Sequence, residues 1–173
     1  NSTFGSGVVI KGTGILMNNE MDDFSAAPGI PNQFGLLGAK ANEIIPGKRP
    51  LSSMTPTIVM KDEELFFTTG SPGGSRIISA VLQSILNIVD FDMDLEEATL
   101  AKRVHHQWQP DTLEIEFSID DGIRNDLELI GYDINITAPL TCIQTIMYKD
   151  NKFSGYGDFR RPDAFASGKI NDR

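Results

Sequence analysis

The sequence predicts an α+β domain in which pairs of strands pack with two or three helices. Three observations predict this class. Short apolar runs occur in pairs around turn residues, one longer run has helical spacing, and the composition is that of a globular protein. With 173 residues, 40% of them apolar and 23% charged, the chain is long enough to bury a core and too apolar for disorder. We therefore expect residues 1–173 to form a single domain.

Two hairpins are predicted in the first half of the chain. Residues 8–10 and 15–17 are apolar runs separated by Lys-Gly-Thr-Gly, and residues 57–60 and 65–69 flank Lys-Asp-Glu-Glu. Apolar runs on either side of turn-forming residues are typical of antiparallel strand pairs.

A long loop separates these hairpins. Residues 24–50 contain four prolines and four glycines and show little periodicity. A loop of this length is uncommon inside a compact domain and is often a lid or a binding loop.

Helices are predicted in the second half of the chain. The first follows residues 70–75, Gly-Ser-Pro-Gly-Gly-Ser, because the next apolar residues recur every three or four positions. They are Ile77, Ile78, Val81, Leu82, Ile85 and Val89. Asp94 and Glu97 have the spacing of a capping box, which predicts a second helix. Gly131 after Ile130 marks the C-terminus of a third.

Three further strands are predicted towards the end of the chain. Residues 132–136, 142–148 and 152–156 are rich in β-prone side chains. Asp150 and Asn151 separate the last two runs and predict a hairpin turn. Strand pairs together with these helices complete the α+β pattern.

Charge and composition exclude several classes of function. The net charge of −9 does not favour a nucleic-acid partner, which needs clustered Lys and Arg. The densest basic groups are the pairs 48–49, 102–103 and 160–161, which we expect on the solvated surface. No apolar run reaches the ~20 residues that span a bilayer. The first residues lack the features of a signal peptide. With Cys142 as the only cysteine, an internal disulfide is impossible.

The turn at residues 70–75 is the strongest candidate for chemistry. Adjacent glycines let the backbone adopt positive φ angles and approach a ligand. The first amides of a helix are unpaired and carry a partial positive charge. Together these features suit a carboxylate, a phosphate or a developing oxyanion. Taken alone, a tight strand-to-helix connection that binds nothing is the simpler interpretation.

Two polar segments are weaker candidates. Residues 18–23, Asn-Asn-Glu-Met-Asp-Asp, have carboxylates for an amine or a metal but lack the pattern of a calcium loop. Residues 49–56 place two serines between prolines, where rigid hydroxyls suit a carboxylate ligand. Taken alone, a solvated strand end and turn-forming serines are the simpler interpretations.

Both histidines lie in one segment, His105-His106-Gln107-Trp108. Adjacent side chains in a strand point to opposite faces, which is poor geometry for joint metal ligation. We therefore expect packing and hydrogen bonding by a buried His and a buried Trp rather than a metal site, and we expect no cofactor.

Six segments, in this order, resemble the small subunit of γ-glutamyltransferases. They are residues 1–5, 14–24, 48–54, 69–76, 105–108 and 160–163. The resemblance runs from residue 1 to about residue 168 and is weakest over residues 113–136. It implies the N-terminal-nucleophile hydrolase architecture, an αββα sandwich of which this chain is the small-subunit portion. It also implies a self-cleaving precursor whose large subunit is the partner of this chain.

The resemblance implies a reaction as well. A γ-glutamyl group, for example from glutathione, is transferred to a threonine at the start of the small subunit and then to water or an amine. The α-amino group of that threonine is the implied base, because its pKa of about 7.7–8.0 suits proton transfer at neutral pH.

The same resemblance implies roles for residues of this sequence. Gly73 and Gly74 would donate their amides to the oxyanion, and Ser52 and Ser53 would bind the α-carboxylate of the γ-glutamyl group. Asp23 would pair with its α-ammonium group, and the side chains of Asn1 and Glu20 would assist. Residues 28–39 correspond to a lid, with Phe34 near its tip.

One departure from the family concerns the nucleophile, which is expected a short stretch before Asn1. Residues 1–173 alone are therefore expected to be inactive. Two alternatives stay open: a non-catalytic homologue that binds γ-glutamyl compounds, and a related acylase or poly-γ-glutamate depolymerase. In bacteria, family resemblance implies a periplasmic or secreted location.

Overall fold

A computed structural model describes residues 2, 4–117 and 119–168. The chain divides into two compact units, Asn1–Ser53 and Met54–Arg173. The two units are described separately below. The expectation that residues 1–173 form one domain stays a prediction.

The first unit has little regular structure. It contains two short 3-10 helices, Glu20–Asp23 and Lys40–Asn42. The predicted first hairpin is present, although it is reduced to a single antiparallel bridge between Val9 and Leu16. Both side chains of that bridge are exposed, so no packed face extends the pairing.

The predicted loop at residues 24–50 is closed on itself by local contacts. Bridges join Ser25 to Glu43 and Pro31 to Leu37. The side chain of Asn32 accepts hydrogen bonds from the amides of Phe34 and Leu36, at 2.9 and 3.1 Å. Residues 28–39 therefore form an ordered turn, and the role of this segment as a lid stays a prediction.

The second unit contains the α+β core that the sequence predicts. Its described elements follow in the order β1 (Thr57–Lys61), β2 (Glu64–Gly70), α1 (Arg76–Val89), α2 (Leu95–Leu100), β3 (Val104–His105), β4 (Leu113–Glu116), α3 (Asp121–Leu129), β5 (Ile134–Thr137), β6 (Gln144–Lys149) and β7 (Lys152–Gly157).

These strands form two sheets. The larger one is antiparallel throughout, in the order β1-β2-β6-β7. The smaller one has the order β3-β4-β5, and its β4 and β5 are parallel. The two predicted hairpins of this unit, β1-β2 and β6-β7, are confirmed.

The hairpin turns show why these strands pair where they do. Asp62 and Glu63, and likewise Asp150 and Asn151, have φ angles between 52° and 65°. Two consecutive positive φ angles define the type I′ turn, whose twist matches that of the flanking strands. Asp and Asn tolerate this conformation better than most residues.

The core lies between the large sheet and the helices. Phe67 of β2 is fully buried and clusters with Ile88 of α1 and Ala98 of α2. Ile77, Ala80 and Val81 of α1 cluster with Ile143, which precedes β6. The helical spacing predicts α1 itself correctly, but only part of it is buried: Ile77 and Val81 face the core, whereas Ile78, Leu82 and Val89 are exposed.

The predicted helix ends are confirmed. Asp94 and Glu97 form a complete capping box at the start of α2. After α3, the amide of Gly131 donates to the carbonyl of Glu128, and the amide of Tyr132 donates to that of Leu127. Because Tyr132 completes this helix end, β5 begins at Ile134 rather than at residue 132 as predicted.

Two arginines that we expected on the solvated surface are buried, so that prediction was wrong for Arg103 and Arg160. Arg103 pairs with Asp158 at 2.9 Å, and Arg160 pairs with Glu116 at 2.7 Å and with Asp158 at 3.2 Å. Both guanidinium groups also donate to carbonyl groups at the end of α2, including that of Thr99. Paired charges and filled hydrogen-bond sites offset the cost of burial. We call these four residues the ion cluster.

Candidate active site

The glycine turn, residues 71–75, connects β2 to α1 as predicted. Gly73 has a φ angle of 136° and Gly74 one of 60°, both in the region that favours glycine. The amides of Arg76 and Ile77 donate to the carbonyls of Gly73 and Gly74, each at 3.2 Å. No residue in the described part of the chain accepts a hydrogen bond from the amides of Gly73 and Gly74 themselves. These two amides can therefore bind an external oxygen.

Thr141 explains why position 73 holds glycine. A Cβ atom at Gly73 would lie 2.9 Å from the hydroxyl oxygen of Thr141 and 3.1 Å from its Cβ. The Thr141 hydroxyl also hydrogen-bonds to the carbonyl of Pro72 and to the hydroxyl of Ser71. The backbone of the turn thus rests directly on this side chain.

The other end of the glycine turn is tied to the histidine segment. The hydroxyl of Ser75 donates to the amide oxygen of Gln107 at 2.6 Å. The same oxygen lies 3.0 Å from Nε2 of His105, and Nδ1 of His105 lies 2.7 Å from the hydroxyl of Ser79. His105 is buried, so the expectation of a hydrogen-bonded, buried histidine is confirmed.

The expectation of a buried tryptophan was wrong, because the side chain of Trp108 is 72% exposed. The backbone turns sharply at this residue, where φ is +69°, and this turn directs the segment away from the core. His106 faces away from His105 and bonds to Asp111 at 3.0 Å. In the described part of the chain, no group of three or more His, Cys, Asp or Glu side chains could hold a metal ion.

Arg76, the first residue of α1, is neutralised by a carboxylate. Its Nε and a terminal nitrogen donate to the two oxygens of Glu114, at 2.7 and 2.6 Å. The Arg76 guanidinium holds the pKa of Glu114 below its usual range. The hydrogen bond from Arg76 to Glu114 in turn raises the pKa of Arg76. Attraction of an anion to the glycine turn therefore falls to the backbone amides.

Within the first unit, three of the predicted site residues come together. Glu20 and Asp23 lie on the first 3-10 helix and hydrogen-bond to each other, and Ser53 hydrogen-bonds to Asp23. Burial raises the pKa of the Asp23 carboxyl, and the hydrogen bond with Glu20 raises it further. The hydrogen bond with Ser53 lowers it, although the net shift is upward.

Asn42 was not predicted as a site residue, yet it joins the two halves of this group. Its side-chain nitrogen donates to the carbonyl of Asp23 at 2.7 Å, and its side-chain oxygen accepts from the amide of Leu51 at 3.1 Å. The side chain of Asn42 thereby sets the distance between the 3-10 helix of Glu20 and Asp23 and the segment that carries the two serines. No local pattern marks this role, because the partners lie 19 and 9 residues away in the chain.

Two further residues predicted to bind the substrate are Ser52 and Asn1. Ser52 is exposed beside Ser53, and both have surfaces that a ligand can reach. Asn1 lies outside the described residues. None of the helices among the described residues has the length and apolar composition of a membrane-spanning segment.

Comparison with known proteins identifies the family. The model of the family described as gamma-glutamyltranspeptidase matches residues 1–168. The chain belongs to this family. The predicted resemblance is therefore confirmed.

Individual relatives support the assignment to the γ-glutamyltranspeptidase family. The glutathione hydrolase proenzyme of Escherichia coli (strain K12) is 47% identical over 169 residues, which are 97% of this chain and 29% of that protein. The glutathione hydrolase proenzyme of Pseudomonas sp. (strain A14) is 42% identical over 179 residues, covering 97% of this chain and 31% of that protein. The chain thus spans about 30% of the length of these curated relatives.

A solved structure confirms the predicted fold class. The chain of a Helicobacter pylori gamma-glutamyltranspeptidase mutant matches with a TM-score of 0.89 and 46% identity. The match covers 93% of this chain and 89% of that chain. The α+β fold of the N-terminal-nucleophile hydrolases, in its small-subunit portion, is therefore the fold of this chain.

Proposed function

We propose that the complete protein transfers or hydrolyses γ-glutamyl groups through a γ-glutamyl-enzyme intermediate, with glutathione among its donors. One observation carries this proposal: in a member of this family, the amides of Gly73 and Gly74, just before α1, have no hydrogen-bond acceptor among the described residues. Such amides stabilise the negative oxygen that develops when a nucleophile attacks a carbonyl group.

The proposed reaction has two acyl-transfer steps. A hydroxyl nucleophile, which we place in a part of the protein outside residues 1–173, adds to the γ-carbonyl carbon of the donor. The carbonyl oxygen becomes an oxyanion and accepts hydrogen bonds from Gly73 and Gly74. Collapse of this intermediate expels the amine of the donor, which takes up the proton removed from the nucleophile. Water or an acceptor amine then attacks the acyl-enzyme in the same way.

The substrate head group is a zwitterion, and the first unit has matching groups. We assign the α-ammonium group to Asp23, with Glu20 and Asn1 assisting, and the α-carboxylate to the hydroxyls of Ser52 and Ser53. The hydrogen bonds among Glu20, Asp23 and Ser53 support this assignment, because they bring an acidic pair beside a hydroxyl. Hydrogen bonds to charged groups stabilise by about 1.5–3 kcal/mol each.

A protein partner is supported by the larger sheet. Ile58 of β1, Ile146 of β6 and Phe153 of β7 lie on the face that does not pack on α1, and each is more than half exposed. Exposed apolar side chains on one face of a sheet mark an interaction surface. We propose that the large subunit of the same precursor covers it. For a bacterial protein, we propose a periplasmic or secreted location.

The test of the proposed function is γ-glutamyl release by the complete protein. We expect p-nitroaniline to be released from γ-glutamyl-p-nitroanilide. We expect the Ser52→Ala, Ser53→Ala double variant to raise KM at least about tenfold, since two hydrogen bonds to a carboxylate are lost. The matched control is Ser154→Ala, an exposed serine on β7. An inactive wild-type protein, or an unchanged KM in the double variant, would contradict the proposal.

A panel of donors separates this function from its relatives. Glutathione and γ-glutamyl-p-nitroanilide each present a free α-ammonium and α-carboxylate, whereas glutaryl amides lack the ammonium group. We expect kcat/KM for γ-glutamyl donors to exceed that for glutaryl donors by at least about tenfold, because Asp23 would be left unpaired. Equal rates would indicate an acylase instead.

A further inference from the structure

The glycine turn consists of residues that are flexible unless their surroundings hold them. Gly73 and Gly74 adopt backbone angles that few other residues allow, but glycine is also the most flexible residue. An oxyanion site is effective only when its donors are already aimed at the oxyanion before it forms. Residues outside the glycine pair must therefore hold these amides in place.

We infer that Gln107 is a positioning residue for the oxyanion-binding amides, acting through the hydroxyl of Ser75. This inference rests on the proposed function and extends it to residues that do not touch the substrate. Ser75 directly follows the glycine pair, and its hydroxyl donates to the Gln107 oxygen at 2.6 Å. The last residue of the glycine turn is thereby anchored to the segment that follows β3.

The orientation of the Gln107 amide follows from its own partners. Its nitrogen donates to the carbonyl of Gln109 at 3.1 Å, so its oxygen is the atom that faces Ser75 and His105. An amide oxygen only accepts hydrogen bonds, so the proton of His105 lies on Nε2. Nδ1 of His105 then accepts from the hydroxyl of Ser79 at 2.7 Å.

These hydrogen bonds attach the first turn of α1 to His105 and Gln107, and we call this set of contacts the clamp. Ser75 and Ser79 are four residues apart and therefore lie on the same side of the helix. Gln107 holds the first of them directly, and His105 holds the second. A second attachment of β3 to α1 comes from Gln83, whose side chain bonds to both backbone groups of Val104, at 2.8 and 3.1 Å.

The hydroxyl of Ser75 stands at the start of α1, where it could instead cap the helix. A serine at the start of a helix normally accepts a hydrogen bond from one of the first helical amides. Ser75 makes no such cap in this structure, and its hydroxyl is directed to Gln107. Loss of the Gln107 oxygen would free this hydroxyl to turn towards the helix amides and would remove the attachment of the glycine turn to the segment after β3.

The test uses the complete protein and four variants. Gln107→Met keeps the length of the side chain without its acceptor, and Gln107→Glu keeps acceptor oxygens. Ser75→Ala removes the other partner, and the fourth variant combines Ser75→Ala with Gln107→Met. We expect each single loss of the link to lower kcat about 10- to 100-fold with little change in KM, because the oxyanion exists only along the reaction path.

Two further readouts distinguish positioning from mere support of the fold. Gln107→Glu should recover most of the kcat, and the double variant should be no slower than the slower single variant, since both changes break one link. Should Gln107→Met fail to fold, Ser75→Ala still decides the point. A wild-type kcat in Ser75→Ala would overturn the inference. So would a Gln107→Met variant that loses melting temperature together with kcat, if Gln107→Glu restores neither. An inactive wild-type protein would instead refute the proposed function.

Discussion

At the scale of single residues, Glu20 and Asp23 determine the charge of the proposed head-group site. Two carboxyl groups share a hydrogen bond only when one of them carries a proton, and this is why Glu20 contributes to the raised pKa of Asp23. A substrate ammonium group beside Asp23 would supply the missing positive charge and displace that proton. Binding of the substrate and ionisation of Asp23 are therefore linked.

The pH dependence of substrate binding tests this linkage. Because the Asp23 carboxylate is the form that pairs with an ammonium group, KM should rise as the pH falls through its raised pKa. Burial raises this pKa most, and the hydrogen bond and the charge of Glu20 raise it further; Glu20→Gln removes the charge and the shared proton. The rise in KM should therefore move to lower pH in this variant. The measurement is KM for γ-glutamyl-p-nitroanilide from about pH 4 to pH 8.

The control for this experiment is Glu63→Gln, which changes an exposed glutamate in the β1-β2 turn. Its profile should coincide with that of the wild-type protein. A profile that is unchanged in Glu20→Gln, or shifted to higher pH, would show that Glu20 does not share a proton with Asp23.

The family resemblance implied the groups proposed to touch the substrate, but it did not imply those that hold them. Asp23 and Gly73 stand in dense local motifs, whereas Asn42 and Gln107 act on segments remote in sequence. Ser75 is 32 residues from Gln107, and a contact over that separation leaves no local pattern. The contacts that the side chains of Asn42 and Gln107 make with these motifs are visible only in the folded chain.

At the scale of elements, the glycine turn depends on the close approach of Thr141. Gly73→Ala should lower kcat by about 100-fold, because a Cβ atom would meet Thr141 at 2.9 Å and would also strain a φ angle of 136°. The amide of residue 73 would then be displaced from the oxyanion. The measurement is the steady-state rate with γ-glutamyl-p-nitroanilide.

Two variants control this prediction. Gly70→Ala, in the last position of β2, adds a Cβ atom to open space, so kcat should stay within about twofold of the wild-type value. Combining Gly73→Ala with Thr141→Gly removes the collision but not the backbone strain and should recover part of the rate. No recovery at all would show that relieving the collision does not restore the turn, because the backbone strain remains and the Thr141 hydroxyl is lost.

The elements that the sequence predicted well are those with local causes. The turn at Asp150 and Asn151 and the capping box at Asp94 need only neighbouring residues, and both are present. The parallel pairing of β4 with β5 was not predicted, because it joins residues on either side of α3. The boundary of β5 was predicted two residues early, since an apolar run does not show that Tyr132 completes the helix before it.

At the scale of the whole second unit, the ion cluster connects segments that are distant in sequence. Arg160 reaches Glu116 across 44 residues and also donates to the carbonyls of Thr99 and Ala101, which end α2. The cluster has two positive and two negative groups, so its charges balance. Arg103 extends it to the carbonyl of Thr141, the residue on which the glycine turn rests. The cluster therefore supports the turn as well as the core.

Replacing Arg160, one member of the ion cluster, should lower the free energy of unfolding strongly. Arg160→Met leaves Glu116 and Asp158 buried without their shared partner, which typically destabilises a protein by about 3–5 kcal/mol. The neighbouring change Arg161→Met alters an exposed side chain and should cost no more than about 0.5 kcal/mol. Urea unfolding of the complete protein, followed by intrinsic fluorescence, measures both effects.

Combining Arg160→Met with Glu116→Leu should be less harmful than two independent losses, because it removes both ends of one ion pair. Equal stability of Arg160→Met and Arg161→Met would show that the buried charges do not hold these segments together.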